Sequence, residues 1–97
     1  MDNDTKMIKE MGEALIDLQV KYRSSSLSDR MALKPALEEL LADYAELQKR
    51  LIKEGVITTD EDLEEMTKIK EEIDRAAKQE GLLKVIARTI AFIAIKV

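Results

Sequence analysis

The stretch that decides the fold is the C-terminal segment, residues 81–97, which reads GLLKVIARTIAFIAIKV. Twelve of the sixteen positions after Gly81 are aliphatic residues, alanine or phenylalanine. The segment is nevertheless too short and too charged to cross a bilayer, which needs about 20 predominantly apolar residues. Its apolar side chains must therefore be covered by the rest of the chain, by a second copy, or by a membrane surface.

The apolar residues of this segment recur every three or four positions, as on the buried stripe of a helix. Val85, Phe92 and Ile95 fall outside that stripe, among the charged side chains of the same helix. Burying a side chain of this size contributes about 1.5–3 kcal/mol, so we expect a second copy to cover them. The predicted self-association interface is Leu83, Val85, Ile86, Ile90, Phe92, Ile93, Ile95 and Val97.

Three earlier segments carry apolar residues at the same coiled-coil-like spacing of three and four, and they predict an all-α fold. The predicted helices are at about 4–23, 35–54 and 60–80, and the tail adds a helical segment at 82–97. The five residues 55–59 are a length that joins antiparallel neighbours. We therefore predict a single domain, residues 1–97. It is expected to be an antiparallel helical hairpin or bundle of three to four segments that dimerises through the tail.

The helix ends are predicted from local signals. Gly55 ends the second helix, with Val56 making the hydrophobic contact of a Schellman-type stop. Thr58 and Glu61 have the spacing of a capping box at the start of the third helix. No capping residue follows Gly81, so we expect the third helix to continue into the tail as one long helix, kinked at that glycine.

Two positions leave alternatives open. Pro35 disfavours helical geometry in the residue before it, so residues 24–34 are predicted to be a connection. A helix that begins at Ser28 and is kinked at Pro35 is the alternative. Gly12 lies in the middle of the first helix, where glycine costs about 1 kcal/mol relative to alanine. It marks either a close helix crossing or a tolerated surface position.

The composition excludes several classes of site. The chain has no cysteine and no histidine, which removes disulfides, thiolate metal sites and the commonest general base. The net charge is −4, with nine acidic and four basic residues in 56–80, then three basic and no acidic residues in 81–97. No basic stripe accompanies aromatic side chains, so nucleic-acid binding is not expected. The N-terminus carries no secretory signal, which favours a cytoplasmic protein.

Acidic pairs are the only plausible catalytic material, because carboxylates three residues apart on a helix can share Mg²⁺. All-helical nucleotide pyrophosphohydrolases of the MazG type use an ExxE pair followed, on a later helix, by an ExxD pair. Glu71 and Asp74 match the second element in form, but Glu61 and Glu64 lie only a few turns earlier on the same predicted helix. One helix cannot face itself across a metal. This enzymatic alternative is disfavoured, and no catalytic residue, metal or cofactor is predicted.

The sequence therefore predicts a small, acidic, non-enzymatic helical protein that self-associates and acts as an interaction or assembly module. An acidic face on the third helix is the expected contact for an unidentified protein partner. This face comprises Asp60, Glu61, Glu64, Glu65, Glu71 and Glu72. The alternative is a membrane-surface module, in which Lys84, Arg88 and Lys96 contact anionic headgroups while Phe92 inserts.

Overall fold

In the computed structural model, which describes residues 2–55 and 57–96, the chain forms four α-helices and, over those residues, no β-strand. The helices are α1 (Asn3–Arg23), α2 (Leu27–Glu54), α3 (Asp60–Arg75) and α4 (Gln79–Lys96). They pack against one another in a bundle that measures 41 × 22 × 19 Å. The predicted all-α class is confirmed.

The second helix begins earlier than predicted. The Ser26 hydroxyl accepts a hydrogen bond from the backbone N–H of Asp29, and α2 then continues through Pro35. The predicted connection at 24–34 is therefore wrong, and the alternative of a helix continuous through the proline is the one observed. Proline has no N–H, so the carbonyl of Met31 lacks its helical partner. Because Met31 and Pro35 are both exposed, water can supply that hydrogen bond.

The end of α2 agrees with the prediction. The helix stops at Glu54, and Gly55 follows with a φ of 83°, a left-handed conformation that glycine adopts without strain. The predicted hydrophobic contact of Val56 lies outside the described residues. A helix stop at Gly55 is therefore confirmed, but with a ψ of −156° Gly55 does not have the αL conformation of a Schellman-type stop.

The capping box of α3 forms one residue later than predicted. The Thr59 hydroxyl accepts from the N–H of Asp62, and the Asp62 carboxylate accepts from the N–H of Thr59. The pairing predicted for Thr58 and Glu61 is wrong because the Thr58 N–H is taken by another helix. It donates to the Asp4 carboxylate of α1 at 2.9 Å.

The third helix does not continue into the tail. α3 ends at Arg75, and residues 76–78 separate it from α4, so the prediction of one long helix kinked at Gly81 is wrong. Ala76 is extended, with φ −69° and ψ 124°. Gly81 lies instead within the first turn of α4.

A lysine on α1 stabilises this break. The Lys21 ammonium donates to the backbone carbonyls of Ile73, Asp74 and Ala76 at 2.5, 2.7 and 2.7 Å. These are carbonyls at the C-terminal end of α3, where the helix leaves acceptors without intrahelical partners and where a positive charge is favourable. One side chain therefore satisfies the end of α3 and ties it to α1.

The order of helices around the bundle is α1, α2, α4, α3. α1 packs against α2 and α3, and α4 packs against the same two helices. The contacts of Asn3 with Asp60 and of Lys21 with Ile73 show that α1 and α3 run parallel. Because Tyr44 contacts Ile8 and Lys96 contacts Asp62, α2 is antiparallel to α1 and α4 to α3, so α2 and α4 also run parallel. The predicted hairpin of neighbouring second and third helices is wrong. The end of α2 at Glu54 and the start of α3 at Asp60 lie at diagonally opposite corners of the bundle.

All four helices contribute to a single apolar core. Its most deeply buried members include Met11, Leu18, Leu33, Leu40, Leu47, Met66, Ile69, Ile73 and Ile93. The accessible surface is 5960 Å², close to the value of about 5,600 Å² expected for a folded monomer of this mass. The chain therefore closes its core without a second copy.

Candidate interaction surface

Most of the predicted self-association residues lie inside the single chain. Val85, Ile86, Phe92 and Ile93 have at most 7% of their surface exposed. The break at 76–78 lets α4 fold back against both α2 and α3, and these two helices cover most of its circumference. The expectation that Val85 and Phe92 need a second chain to cover them is therefore wrong.

The outward side of α4 is also apolar. Ile95 is 79% exposed, Leu83 and Ile90 are half-buried, and the predicted interface residue Val97 lies outside the described residues. Between Lys84 and Lys96 all the exposed residues of α4 are apolar. They are Ala87, Ala91, Ala94 and Ile95. We call the set Leu83, Ala87, Ile90, Ala91, Ala94 and Ile95 the α4 outer face.

Ion pairs fasten α4 to α3 beside this surface. The Arg88 guanidinium donates to the carboxylates of Glu65, at 2.9 Å, and of Glu72. Its hydrogen bonds to Glu72 and Glu65 raise the pKa of Arg88, so its charge is secure. The Lys96 ammonium lies 2.5 Å from the Asp62 carboxylate. Arg88 and Lys96 therefore point along the seam with α3 and leave the part of the α4 outer face from Ala87 to Ile95 without charge.

Asp62 combines a capping role with this ion pair. Burial on its own would raise the pKa of the Asp62 carboxyl, but hydrogen bonds from Lys96 and Thr59 outweigh it and lower the pKa below its usual 3.8. The Asp62 side chain is only 13% exposed, so its charge depends on these donors. The same carboxylate thereby holds the start of α3 and the end of α4 together.

A shallow cleft of about 260 Å³ lies along the α3–α4 seam. Its lining residues are Asp62, Glu65, Arg88, Ala91, Phe92, Ile95 and Lys96. The charged members are paired with each other, and Ala91 and Ile95 also belong to the α4 outer face. The cleft is therefore the polar margin of that face.

The predicted acidic face of α3 is divided between two environments. Glu65 and Glu72 turn towards α4 and pair with Arg88. The members exposed to solvent are Asp60, Glu61, Glu64 and Glu71. They share the outer side of α3 with the exposed cations Lys68 and Arg75, so the solvent-facing surface is mixed in charge. Whether it contacts a partner stays a prediction.

The N-terminus of α1 holds Ile57 and Thr58, just before α3, in place. Asp4 is buried and accepts the N–H groups of Ile57, at 3.1 Å, and Thr58, at 2.9 Å. The Asn3 amide donates to the carbonyl of Thr58 at 3.2 Å. Sequence analysis missed these contacts and that of Lys21, because each joins residues more than fifty positions apart. A local pattern contains no signal for such pairs.

Gly12 resolves the alternative left open by the sequence. A Cβ atom there would lie 3.1 Å from the hydroxyl oxygen of Tyr44 on α2. That hydroxyl donates to the backbone carbonyl of Ile8 at 3.0 Å, and burial raises the pKa of Tyr44. Gly12 is therefore a position of close approach, although the approaching group is a side chain.

Further exposed apolar side chains lie on the first two helices. They are Ile16 and Val20 on α1, and Leu27, Met31 and Ile52 on α2. Exposed polar residues such as Asp17, Arg23 and Lys34 stand among them. In this respect they differ from the α4 outer face, whose middle section has no exposed polar residue.

The structure also locates the residues on which the membrane-surface and pyrophosphohydrolase alternatives depend. Of the three cations proposed to meet headgroups, only Lys84 is exposed, and Phe92 is buried. The carboxylate pairs compared with the MazG type, 61/64 and 71/74, lie on α3 alone. The described part of the chain contains no cluster of acidic side chains arranged to hold a metal.

None of the helices, over the described residues, combines the length and the apolar character that a membrane crossing requires. The chain matches no known protein family, no curated protein and no solved structure.

Proposed function

We propose that this chain is a non-enzymatic helical interaction module that self-associates through the α4 outer face. The observation that carries the proposal is that every exposed residue of α4 between Lys84 and Lys96 is apolar. Apolar side chains on the outward side of a helix, in addition to those on its core side, favour burial of both sides. In this chain two sides of α4 are covered by α2 and α3, and the third faces solvent.

The contrast with α3 supports this proposal. The two helices pack side by side and have similar lengths. The exposed residues of α3 are all polar, namely Asp60, Glu61, Glu64, Thr67, Lys68, Glu71, Asp74 and Arg75. A surface helix of a monomer has no need to avoid charge on its outward side. The absence of exposed charge on α4 from Val85 to Ile95 therefore favours a helix that is covered in the working assembly.

The proposal keeps the class of function predicted from the sequence, but it assigns the interface to a different set of α4 residues. The residues that were expected to meet a second copy are divided, since Val85 and Phe92 belong to the core of the single chain. Leu83, Ile90 and Ile95 remain available at the surface. A substitution at Phe92 would consequently disturb the fold, and a test of association has to use an exposed position.

Ala87→Glu is such a test, because Ala87 is exposed near the middle of the α4 outer face. A carboxylate there would be desolvated in the interface, which is costly for an unpaired charge. Ala45→Glu is the matched control, since Ala45 is an exposed helical alanine on the outer side of α2. We expect light scattering to give a dimer mass for the wild type and for Ala45→Glu, and a monomer mass for Ala87→Glu.

Circular dichroism should show the same helix content and melting behaviour for both variants, because substitutions at exposed sites usually change stability by less than about 0.5 kcal/mol. Equal masses for Ala87→Glu and the wild type would contradict the proposed surface. A wild-type protein that is monomeric at hundreds of micromolar would contradict self-association itself.

A further inference from the structure

We infer that acid opens this bundle at one end first, freeing residues 57–62 and the last turn of α4 while the opposite end stays closed. The two ends differ in the chemistry of the side chains that join their helices. At one end, which we call the carboxylate end, Asp4 and Asp62 make the connections. At the other, which we call the lysine end, Lys21 makes them.

Asp4 holds the carboxylate end through hydrogen bonds to a buried charge. Its side chain lies in the interior, with 6% of the residue exposed, and its Oδ1 accepts the N–H groups of Ile57 at 3.1 Å and Thr58 at 2.9 Å. Hydrogen bonds to an ionised acceptor are about twice as strong as those between neutral groups. A protonated carboxyl group has no charge and fewer acceptor positions. Acid therefore weakens the attachment of Ile57 and Thr58 to α1.

Asp62 joins α3 and α4 at the same end. Its carboxylate accepts the N–H of Thr59 at 2.9 Å and lies 2.5 Å from the Lys96 ammonium. Burial opposes its ionisation, but the hydrogen bonds from Lys96 and Thr59 keep its pKa below the usual 3.8. This contribution is present at neutral pH and is lost as the pH falls through the folded-state pKa. Since none of the described residues of α4 after Ile93 is buried, the last turn depends on the ion pair.

Further charged groups stand at the carboxylate end, and none of them can replace the two aspartates in acid. The acidic ones lose their own charge, and the basic ones cannot accept a hydrogen bond. They are Asp2 and Lys6 on α1, Arg50, Lys53 and Glu54 on α2, Asp60, Glu61, Glu64 and Glu65 on α3, and Arg88 and Lys96 on α4.

The lysine end is held by groups that acid does not neutralise. The Lys21 ammonium donates to the backbone carbonyls of Ile73, Asp74 and Ala76, which do not titrate. An ammonium group stays charged throughout the acidic range. The charged side chains near this end take no part in these hydrogen bonds. They are Asp17 and Arg23 on α1, Asp29 and Arg30 on α2, Asp74 and Arg75 on α3, and Lys78 and Glu80 on α4.

The ion pairs of Arg88 with Glu65 and Glu72 also weaken in acid. These side chains are 35–38% exposed, so solvent screens the pairs and their loss has a small effect on stability. They lie along the seam between α3 and α4, away from the contacts of Asp4 and of Lys21. The difference between the two ends therefore persists when they are lost.

Two neutral substitutions test the inference without acid. Asp4→Asn/Asp62→Asn removes both charges and keeps the shapes of the side chains. The control Glu13→Gln/Glu39→Gln removes two charges at exposed positions of α1 and α2. Hydrogen exchange followed by NMR reports the local opening at each amide. All the proteins are measured at neutral pH and at one concentration.

We expect the amides of residues 57–62 and of the last turn of α4 to exchange about tenfold faster in Asp4→Asn/Asp62→Asn than in the wild type, because each loses hydrogen bonds to a charged group. The amides of residues 19–23 and 72–76, at the lysine end, should keep their rates within about threefold. The control should match the wild type at both ends. Equal acceleration at the two ends, or none at residues 57–62, would overturn the inference.

The wild type provides a second measurement that needs no substitution and applies even if the double variant does not fold. Exchange is followed from neutral pH to well below pH 3.8 and corrected for the intrinsic rate of each amide. Protection should fall at the carboxylate end before it falls at the lysine end. Loss of protection at both ends in a single transition would overturn the inference.

Discussion

Lys21→Met should lower the free energy of unfolding by about 2 kcal/mol, because Lys21 is the group that terminates α3. Its ammonium donates to three backbone carbonyls at 2.5, 2.7 and 2.7 Å, and two of these contacts are partly buried. A hydrogen bond to a charged group contributes about 1.5–3 kcal/mol, and a cation at a helix C-terminus adds about 0.3–1 kcal/mol. The exposure of the contact to Asp74 reduces the total towards the lower end.

Methionine is the appropriate replacement because it keeps the aliphatic stem and removes only the charge and the donors. The control is Lys9→Met, an exposed position on the same helix, which accounts for the change in net charge and in hydrophobicity. Urea unfolding followed by circular dichroism measures both variants at one protein concentration, since association would add to the apparent stability. With a slope of about 1–3 kcal/mol/M, the midpoint of Lys21→Met should fall clearly below that of Lys9→Met. Midpoints that agree within about 0.5 kcal/mol of stability would refute the role of Lys21.

Two further predictions concern the polar contacts between helices. Asp62→Asn should destabilise the protein at neutral pH. The folded-state pKa of Asp62 lies below its usual 3.8, so the contribution is present above that pH and is lost as the pH falls through the folded value. A wild-type advantage in chemical denaturation that is undiminished well below pH 3.8 would contradict this. Gly12→Ala should gain less than the about 1 kcal/mol expected from helix propensity, because the new Cβ would displace the Tyr44 hydroxyl. The full gain should appear in the Tyr44→Phe background, and equal gains in both backgrounds would show that the close contact has no energetic effect.

The sequence predicted what depends on local pattern. Met11, Leu40, Met66 and Ile93, one from each predicted stripe, are fully buried, and the helices they lie on are present. The spacing of apolar residues predicts which side of a helix is buried, and a glycine after the last turn predicts where α2 ends. The features that arise within one or two helical turns could therefore be derived from the residues.

The arrangement of the helices could not be derived in the same way. The break after Arg75 looks like continuous helix in the sequence, and it is stabilised by Lys21, which lies 52 residues before Ile73. The position of Ile57 and Thr58, just before α3, likewise depends on Asp4, far away in the chain. Without these contacts the sequence predicts α4 as an extension of α3. In such an arrangement no part of the same chain buries Val85 and Phe92.

The α4 outer face was likewise predictable only in part, because it depends both on local pattern and on the arrangement of the helices. The apolar tail was correctly identified as the unusual segment, but its two faces could be assigned only when α2 and α3 were seen on either side of α4. The side predicted to be the interface is largely core. The side that remains is marked by three alanines and Ile95, residues that a search for large apolar side chains passes over.

The most direct test of the central claim, that the α4 outer face binds a second copy, is sedimentation equilibrium of the unmodified protein from micromolar to hundreds of micromolar concentration. The account predicts that the average mass rises with concentration from 11.0 kDa towards twice that value, with a monomer–dimer equilibrium describing all the data. A mass that stays at 11.0 kDa throughout the range would contradict it.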